Sequence, residues 1–376
     1  MKVAIVCDDL VQSGGQERLV MAVCEIWPGA PLYTAYASKN WINICQQKKI
    51  DLRASFMQKL PLIEKLYRYY SPFMLHPLAF ESFDFSGYDV VVSISSRFAH
   101  GVLTKPGTIH VCYMNSPGRM FWEASSYFDS ESYGVLKTFK KFARPILSVP
   151  LSYLRLWDRT AAQKVDYFMA NSRNAQRKIA KYYKRDSLVV YPFADIKDEM
   201  SDKCGVGNYF MVITRLQAWK RVDTAVEACT ELNVPLKVIG EGPDLERLRG
   251  MAGPSIEFFG YVSDVRKKEL LRCATALINT QKEDFGIVPV EAMAFGKPVI
   301  AYGQGGVLET VIPGMTGEFY NEQTAGSLSE VLQKFDRVRY NSDVCSFTAR
   351  KFTKNNFTGR VKEFVNEVYL KSISAL

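Results

Sequence analysis

Glu283-Asp-Phe-Gly-Ile-Val-Pro-Val-Glu291-Ala-Met-Ala-Phe-Gly296-Lys-Pro298 reads as a loop, a short helix and the approach to a buried strand. Pro289 suits the first helical position, where its missing N–H would be unpaired in any case. Gly296 suits the left-handed position that ends a helix, and Pro298 bars the helix from resuming. Val299-Ile-Ala-Tyr302 then reads as an apolar strand, and Gly303-Gln-Gly-Gly306 as the turn after it. This reading places Glu283 in the loop before the helix and Glu291 in its first turn. Between them the N–H groups near Gly286 and Ile287 lack intrahelical partners, which makes a natural anion site. Two carboxylates beside such a helix start suit a ligand that carries both phosphate and hydroxyl groups. Taken as a pair alone they equally fit a solvated loop residue and a carboxylate that complements the helix dipole.

Working outward, strand and helix patterns alternate along the whole chain. Lys2 to Cys7 is a short apolar strand, followed by the turn Asp8 to Gly15 and by helical spacing from Glu17 to Trp27. Strand, glycine turn and helix open a doubly wound sheet, whose ligand crevice lies at the carboxyl ends of the strands. The turn is not G-x-G-x-x-G, so a dinucleotide fingerprint is absent; Gly14 and Gly15 fit either a plain tight turn or a close backbone approach to a ligand. Tyr88 to Ile94, Thr108 to Met114 and Val165 to Arg173 continue the pattern, and Val189 to Pro192 reads as the last strand of the first half. The second half has strands at Tyr209–Thr214, Leu236–Ile239, Ile256–Val262 and Thr275–Asn279, with helices at Val222–Leu232 and near Asp244–Arg249. The fold class is therefore α/β, built from two Rossmann-like doubly wound domains.

Composition bounds the functions available. A chain of 376 residues, 47% hydrophobic, is long enough for two packed cores. Polar, irregular residues from Asp195 to Gly207 suit a linker, giving an N-terminal domain over 1–194 and a C-terminal domain over 195–355. The net charge of +9 suits nucleic acid, an anionic membrane surface or phosphorylated substrates. No nucleic-acid-binding motif is present, so membrane and phosphate carry the expectation. The eight cysteines never form C-x-x-C and there are only three histidines, so no metal cluster is expected and the thiols are read as reduced. Met1-Lys2 runs straight into a strand, so no signal peptide is expected, and no apolar run reaches the length of a membrane span. Residues 50–82 and 136–157 mix aromatic and basic side chains on amphipathic segments. Each fits a lipid headgroup boundary or, as readily, a buried face backed by a solvated basic one.

The spacing from Glu283 to Glu291, the following A-M-A-x-G-K-P-V-I-A and the run from Gly305 to Glu309 together resemble the retaining nucleotide-sugar glycosyltransferases of family 4. Tyr113-Met-Asn115-Ser-Pro-Gly-Arg119-Met-Phe-Trp122 is similar to the Y-x-H-x-P-x-R-x-x-W run of family 4 enzymes that build bacterial surface polysaccharides, the mannosyltransferase-like subset above all. The resemblance implies the GT-B fold, two Rossmann-like domains facing each other across a cleft, with a last helix at about 356–376 returning to the first domain. It also implies roles for particular residues. Arg215 and Lys220, in R-L-x-x-x-K, are the diphosphate pair, the first a fork and the second a point charge. Glu283 would meet the hydroxyls of the transferred sugar and Glu291 those of the ribose. Asp284, Phe285, Gly286 and Ile287 would line the phosphates and sugar, while Gly242, Tyr261 and Val262 would line the nucleobase. Gly14, Gly15 and Arg119 would serve the donor and acceptor in the first domain.

Asn115 is the departure, since the family run usually has His there. Asn donates and accepts hydrogen bonds but takes up no proton near pH 7. His110 is no substitute, because five strand residues separate it from Asn115, about 16 Å at ~3.3 Å each. Their odd separation also points them to opposite faces. His110 is read as structural, and His76 and His100 are unassigned. A retaining transfer by front-face attack, with the donor phosphate accepting the proton, does not require a base at Asn115. The expectation is a metal-independent hexosyltransferase without cofactors. Its donor would be GDP-mannose first and a UDP-sugar second; its acceptor would be a growing, lipid-linked saccharide at the inner face of the cytoplasmic membrane. A GT-B sugar-nucleotide epimerase and a non-catalytic binding subunit of a polysaccharide assembly complex remain as alternatives.

Overall fold

A computed structural model describes residues 1–12, 14–66, 70, 74–123, 140–195 and 207–374, the side chains of 140–147 excepted. Two units divide these residues. The first takes in those of 1–124, 135–192 and 354–376, and the second those of 193–353.

In the first unit β1 (Val3–Cys7), β2 (Leu32–Thr34), β3 (Leu52–Ala54), β4 (Val90–Ser95), β5 (Ile109–Met114), β6 (Tyr167–Ala170) and β7 (Leu188–Val189) form one sheet. Its order is β3-β2-β1-β4-β5-β6-β7, and every pairing is parallel. β1, β4 and β5 are buried along their whole length. That is why they read as unbroken apolar runs: strands covered by helices on both faces have no solvent side to alternate with. β1 lies between β2 and β4, so the strand order reverses at its carboxyl end, the place where open α/β sheets bind ligands.

Polar residues inside this sheet pair with one another, although His110 Nδ1 is buried without a hydrogen-bond partner among the described residues. Ser93 Oγ and His110 Nε2 share a hydrogen bond of 2.8 Å, and the His110 N–H of the backbone donates to Asp166 Oδ2 at 2.7 Å. Burial, with His100 adding to it, lowers the His110 imidazole from 6.5 to about 3. The folded protein therefore keeps His110 neutral while the unfolded chain protonates it below about 6.5. Its contribution to stability is complete above that pH and is lost as the pH falls towards about 3. Urea unfolding of the wild type between pH 6 and pH 4 should show a slope of about 1.4 kcal/mol per pH unit that His110→Gln lacks. Equal slopes would show that the folded state accepts the proton.

The second unit holds β8 (Phe210–Ile213), β9 (Leu236–Ile239), β10 (Ile256–Gly260), β11 (Ala276–Asn279), β12 (Val299–Tyr302) and β13 (Gly317–Tyr320). These form a parallel sheet of order β10-β9-β8-β11-β12-β13. Val226, Val238, Leu248, Ile278, Ile300 and Leu328 lie in its core. The reversal point here is β8, flanked by β9 and β11. The last long helix, Lys354–Ser374, belongs to the first unit and packs on the helix Gly15–Ile26. It buries Phe357, Val361, Val365 and Val368 at helical spacing, with the Phe357 ring edge-on to Tyr113 at 5.4 Å.

Three expectations change at this level. Cys7, Cys24, Cys45, Cys112, Cys229 and Cys345 are buried free thiols, whereas Cys273 is disulfide-bonded, so the thiols are not uniformly reduced. Residues 50–82 break into β3 and short helical turns rather than one amphipathic segment, and Tyr67, Arg68, Tyr69 and Phe73 lie outside the described residues. Of the second segment, 136–139 also lie outside them, while the rest belongs to the helix Lys140–Gln163. That helix buries Leu151 and Leu154 but leaves Val149, Tyr153 and Leu156 exposed. No helix among the described residues is long and apolar enough to cross a membrane.

Candidate functional site

The second unit gathers most of the expected donor-site residues around the carboxyl ends of β8, β9, β10 and β11. Leaving β8, the chain passes Arg215, which is exposed, and Leu216, which is buried. It then makes a short turn, Ala218–Lys220, and enters the helix Val222–Glu231. Lys220 is only 6% exposed, and its Nζ lies 2.5 Å from Glu283 Oε1 in the loop after β11. The Trp219 ring lies under the same ammonium at 4.1 Å, a favourable cation–π placement. Arg215 and Lys220 thus share one loop, but Lys220 engages Glu283.

Glu283 is held by a backbone clamp. Gly305 pairs with it as an isolated parallel bridge, and the Gly306 N–H donates to Glu283 O at 2.8 Å. Gly305 has φ +86, and a Cβ there would come within 2.3 Å of Glu283 O. Only glycine permits that approach, so the turn after β12 fixes the loop that carries Glu283. Asp284 is buried, as is Phe285, whose ring meets Phe352 edge-on at 5.3 Å.

The helix after this loop starts earlier than its proline implies. It spans Ile287–Ala294 with Gly286 as its cap at φ +89, so Pro289 is the third residue rather than the first, and Glu291 lies beyond the first turn. The left-handed Gly286 turns the chain into the helix before the proline is reached. Pro289 is tolerated there because the third N–H also lacks an intrahelical acceptor. The N–H groups of Gly286 and Ile287 donate to no described protein group. Glu291 is buried, with Oε2 at 3.3 Å from Lys267 Nζ. The far end agrees with expectation: Gly296 has φ +69. Gly296 N–H donates to Met293 O and Lys297 N–H to Ala292 O, closing a Schellman motif.

On the other side of β8 the turn Gly240–Pro243 packs backbone against backbone. A Cβ on Gly240 would sit 1.8 Å from Thr214 O, and one on Gly242 2.1 Å from Leu216 O. Gly240 N–H also donates to Gly260 O at 2.9 Å, and Tyr261 N–H to Glu241 Oε1 at 3.2 Å. Gly242, the Tyr261 backbone and the loop that carries Arg215 are therefore held together at the strand ends, with Val262 next in sequence and Tyr261 81% exposed.

In the first unit, Gly14 caps the helix Gly15–Ile26 with its N–H donated to Glu17 Oε2 at 3.0 Å, and Gly15 is the first helical residue rather than part of the turn. Asn115 follows β5; its N–H donates to Ser95 O at 2.8 Å, and its Nδ2 is buried without an acceptor. Arg119 begins a one-turn helix, Arg119–Trp122. Two aspartates that the sequence reading passed over dominate the crevice at β1. Asp8 Oδ2 accepts from Ser96 and Arg97 N–H at 2.6 and 3.0 Å, and Oδ1 from Phe98 and Ala99 N–H at 2.9 Å each. Asp9 Oδ2 lies 3.1 Å from His76 Nε2 and 3.5 Å from Arg97. The signal was the Asp-Asp pair at a strand's carboxyl end, but apart from Gln16, which donates to Asp8 Oδ2 at 3.3 Å, its side-chain partners are 67 to 91 residues away. His100 is likewise internal, with Nδ1 at 3.1 Å from Ser95 Oγ and Nε2 at 3.3 Å from Asp158. Among the described residues no group of three or more His, Cys, Asp or Glu is arranged to hold a metal ion.

Solved structures with this fold cover nearly the whole chain. An Anabaena protein, Alr3699/HepE, crystallised with UDP, matches with a TM-score of 0.71 over 98% of this chain and all of its own, at 16% identity. Sucrose-phosphate synthase from Thermosynechococcus elongatus gives 0.75 over 98% and 100%, at 15% identity. The lipopolysaccharide outer core galactosyltransferase WaaB gives 0.65 over 99% and 100%, at 19%. At such identities they establish the fold, which is GT-B with two parallel-sheet, Rossmann-like units. Residues 196–346, which carry all of the donor-site geometry above, match the family model of the glycosyl transferases group 1. Among curated relatives, human alpha-1,3/1,6-mannosyltransferase ALG2 is 31% identical over 40% of this chain and 38% of its own length. A GDP-mannose-dependent phosphatidylinositol monomannoside mannosyltransferase of Mycolicibacterium smegmatis is 33% identical over 34% and 38%. Two uncharacterized glycosyltransferases of Methanocaldococcus jannaschii, MJ1178 and MJ1069, match over 51% and 61% of their lengths, so the chain aligns with about half of such relatives.

Proposed function

We propose that the protein is a retaining glycosyltransferase of family 4 that moves a hexose from a nucleotide diphosphate sugar to a saccharide acceptor. The observation that carries this reading is the Lys220–Glu283 pair at the β8 reversal point, beside the uncapped N–H groups of Gly286 and Ile287. A leaving diphosphate develops charge on its oxygens, and preorganised cations and N–H groups stabilise it without reorganising. Lys220 and Arg215 supply the cations, and the helix start supplies the dipole. Glu283 accepts hydrogen bonds from sugar hydroxyls, and Glu291 from the ribose. Gly242, Tyr261 and Val262 receive the base. In the first unit, Gly14, Asn115 and Arg119 handle the acceptor, and the Asn115 Nδ2 donor is available to a ligand oxygen. Relatives named as mannosyltransferases support GDP-mannose as donor, and the UDP complex of a fold neighbour supports a UDP-sugar as the second choice.

The acceptor would be a growing, lipid-linked saccharide of a cell-surface polysaccharide. The net charge of +9 and the exposed Val149, Tyr153 and Leu156 support peripheral contact with the anionic inner face of the cytoplasmic membrane. The reaction as proposed needs no metal and no further cofactor.

Thermal-shift measurements with GDP, UDP and ADP, and with their common sugar conjugates, test the reading with and without magnesium. A nucleotide at a hundred times its Kd stabilises the native state by about 2.7 kcal/mol, a shift of several degrees. One nucleotide family should produce it independently of magnesium. No shift from any of them, in a protein that melts cooperatively, would overturn the donor site and favour a non-catalytic binding subunit.

A further inference from the structure

Thr280 and Gln281 follow β11, just ahead of the loop that carries Glu283, and no step above uses them. Both are polar and buried, 2% and 3% exposed. Buried polar groups are kept where they have hydrogen-bond partners, and here the partners tie the end of β11 to its neighbours. The Thr280 hydroxyl donates to Lys220 O at 2.8 Å. The Thr280 carbonyl accepts from Gln323 Nε2 at 2.7 Å. Gln281 Oε1 accepts from the hydroxyl of Thr214, the residue after β8, at 2.9 Å.

The bond from Thr280 falls on a backbone that needs holding. Lys220 closes the turn Ala218–Lys220, and Arg221 follows in the left-handed conformation at φ +53. Residues other than glycine rarely adopt that conformation, and it persists only where the surroundings impose it. Here the peptide group between Lys220 and Arg221 is held at both ends. Its carbonyl accepts from Thr280, and its N–H donates to Ala218 O at 3.1 Å. The Lys220 N–H donates in turn to Gln217 O at 2.8 Å. From this fixed backbone the Lys220 ammonium reaches Glu283 Oε1 at 2.5 Å. Thr280 stands three positions before Glu283 in the chain, so one residue ties the backbones of both partners together. We propose, on the diphosphate role already given to Lys220, that Thr280 is a positioning residue of the donor site. Its hydroxyl sets where the ammonium lies, and so how sharply the site separates a nucleoside diphosphate from a monophosphate. An ammonium acts as a point charge, so its hold on the terminal phosphate weakens as it is displaced. The contacts assigned to Gly242, Tyr261 and Glu291 do not pass through Lys220 and are left in place.

Calorimetric titration of the full chain with GDP, UDP and ADP and with their monophosphates tests this, alongside amide hydrogen exchange of the ligand-free protein. For the base that binds, the wild type should take the diphosphate about thirtyfold more tightly than the monophosphate, the scale of a hydrogen bond to a charged group. Thr280→Val and Thr280→Ala, which lack the hydroxyl, should cut that ratio to about threefold and leave monophosphate affinity within about twofold. Thr280→Ser, which keeps the hydroxyl, should recover most of the ratio. Without ligand, the Lys220 and Arg221 amides should exchange about tenfold faster in the Val and Ala variants than in the wild type. A general loss of stability would weaken both nucleotides alike and leave their ratio unchanged. A full ratio in a cooperatively melting Thr280→Val or Thr280→Ala, or exchange no faster than in the wild type, would overturn the role of Thr280 alone. A wild type that binds none of these nucleotides, or binds monophosphate and diphosphate equally, would overturn the diphosphate role of Lys220 and the role of Thr280 with it.

Discussion

Glu283→Ala is expected to abolish sugar transfer while leaving nucleotide binding in place. Glu283 holds Lys220, 2.5 Å away, and in the proposed function its carboxylate would meet the transferred sugar, whereas the base and ribose contacts would lie with Gly242, Tyr261 and Glu291. A loss on the order of 10²–10³-fold in kcat is the scale for removing one preorganised polar group from a reacting centre. The nucleotide-induced thermal shift should survive. Lys220→Ala is expected to behave differently, because the proposed function assigns the ammonium to the diphosphate itself. It should weaken nucleotide binding about tenfold, or 1.4 kcal/mol, as well as transfer. Nucleotide binding unchanged in Lys220→Ala would remove the diphosphate role, and transfer that persists in Glu283→Ala would remove the sugar role.

The second large effect is on stability. Asp8→Ala should cost the first unit about 3–5 kcal/mol, read as a lower urea midpoint. Both oxygens of Asp8 accept backbone N–H groups from Ser96 to Ala99, four bonds in all, and its side chain lies in a residue only 3% exposed. Removing the carboxylate strands those donors, and each unsatisfied buried donor costs about 1–3 kcal/mol before relaxation. Asp8→Asn should fall between the two, since its amide oxygen still accepts while its NH₂ faces donors. A fully stable Asp8→Ala would mean that water replaces the carboxylate.

Much of the architecture was legible in the chain itself, for a reason that particular strands make plain. Val299 to Tyr302 was read to the residue, because a parallel strand covered on both faces is apolar without interruption and bounded by glycine and proline. Val3–Cys7 and Leu236–Ile239 were found in the same way. Gly296 was placed because a left-handed helix end is a local requirement that glycine meets better than other residues. The helix start was misplaced by two residues, because Gly286 adopts φ +89 under the backbone clamp from Gly305 and Gly306, a constraint arriving from the next strand's turn.

The site divides along the same line. The residues proposed for the sugar-nucleotide site lie in the local runs from Arg215 to Lys220 and from Glu283 to Glu291. Which of them meet was decided by the tertiary structure. Lys220 finds Glu283 across 63 positions, and Asp9 finds His76 across 67. Local sequence sets backbone conformation and the burial of a face, because those depend on near neighbours. Pairing of charges depends on which strand ends the fold brings together, and only the sheet order supplies that.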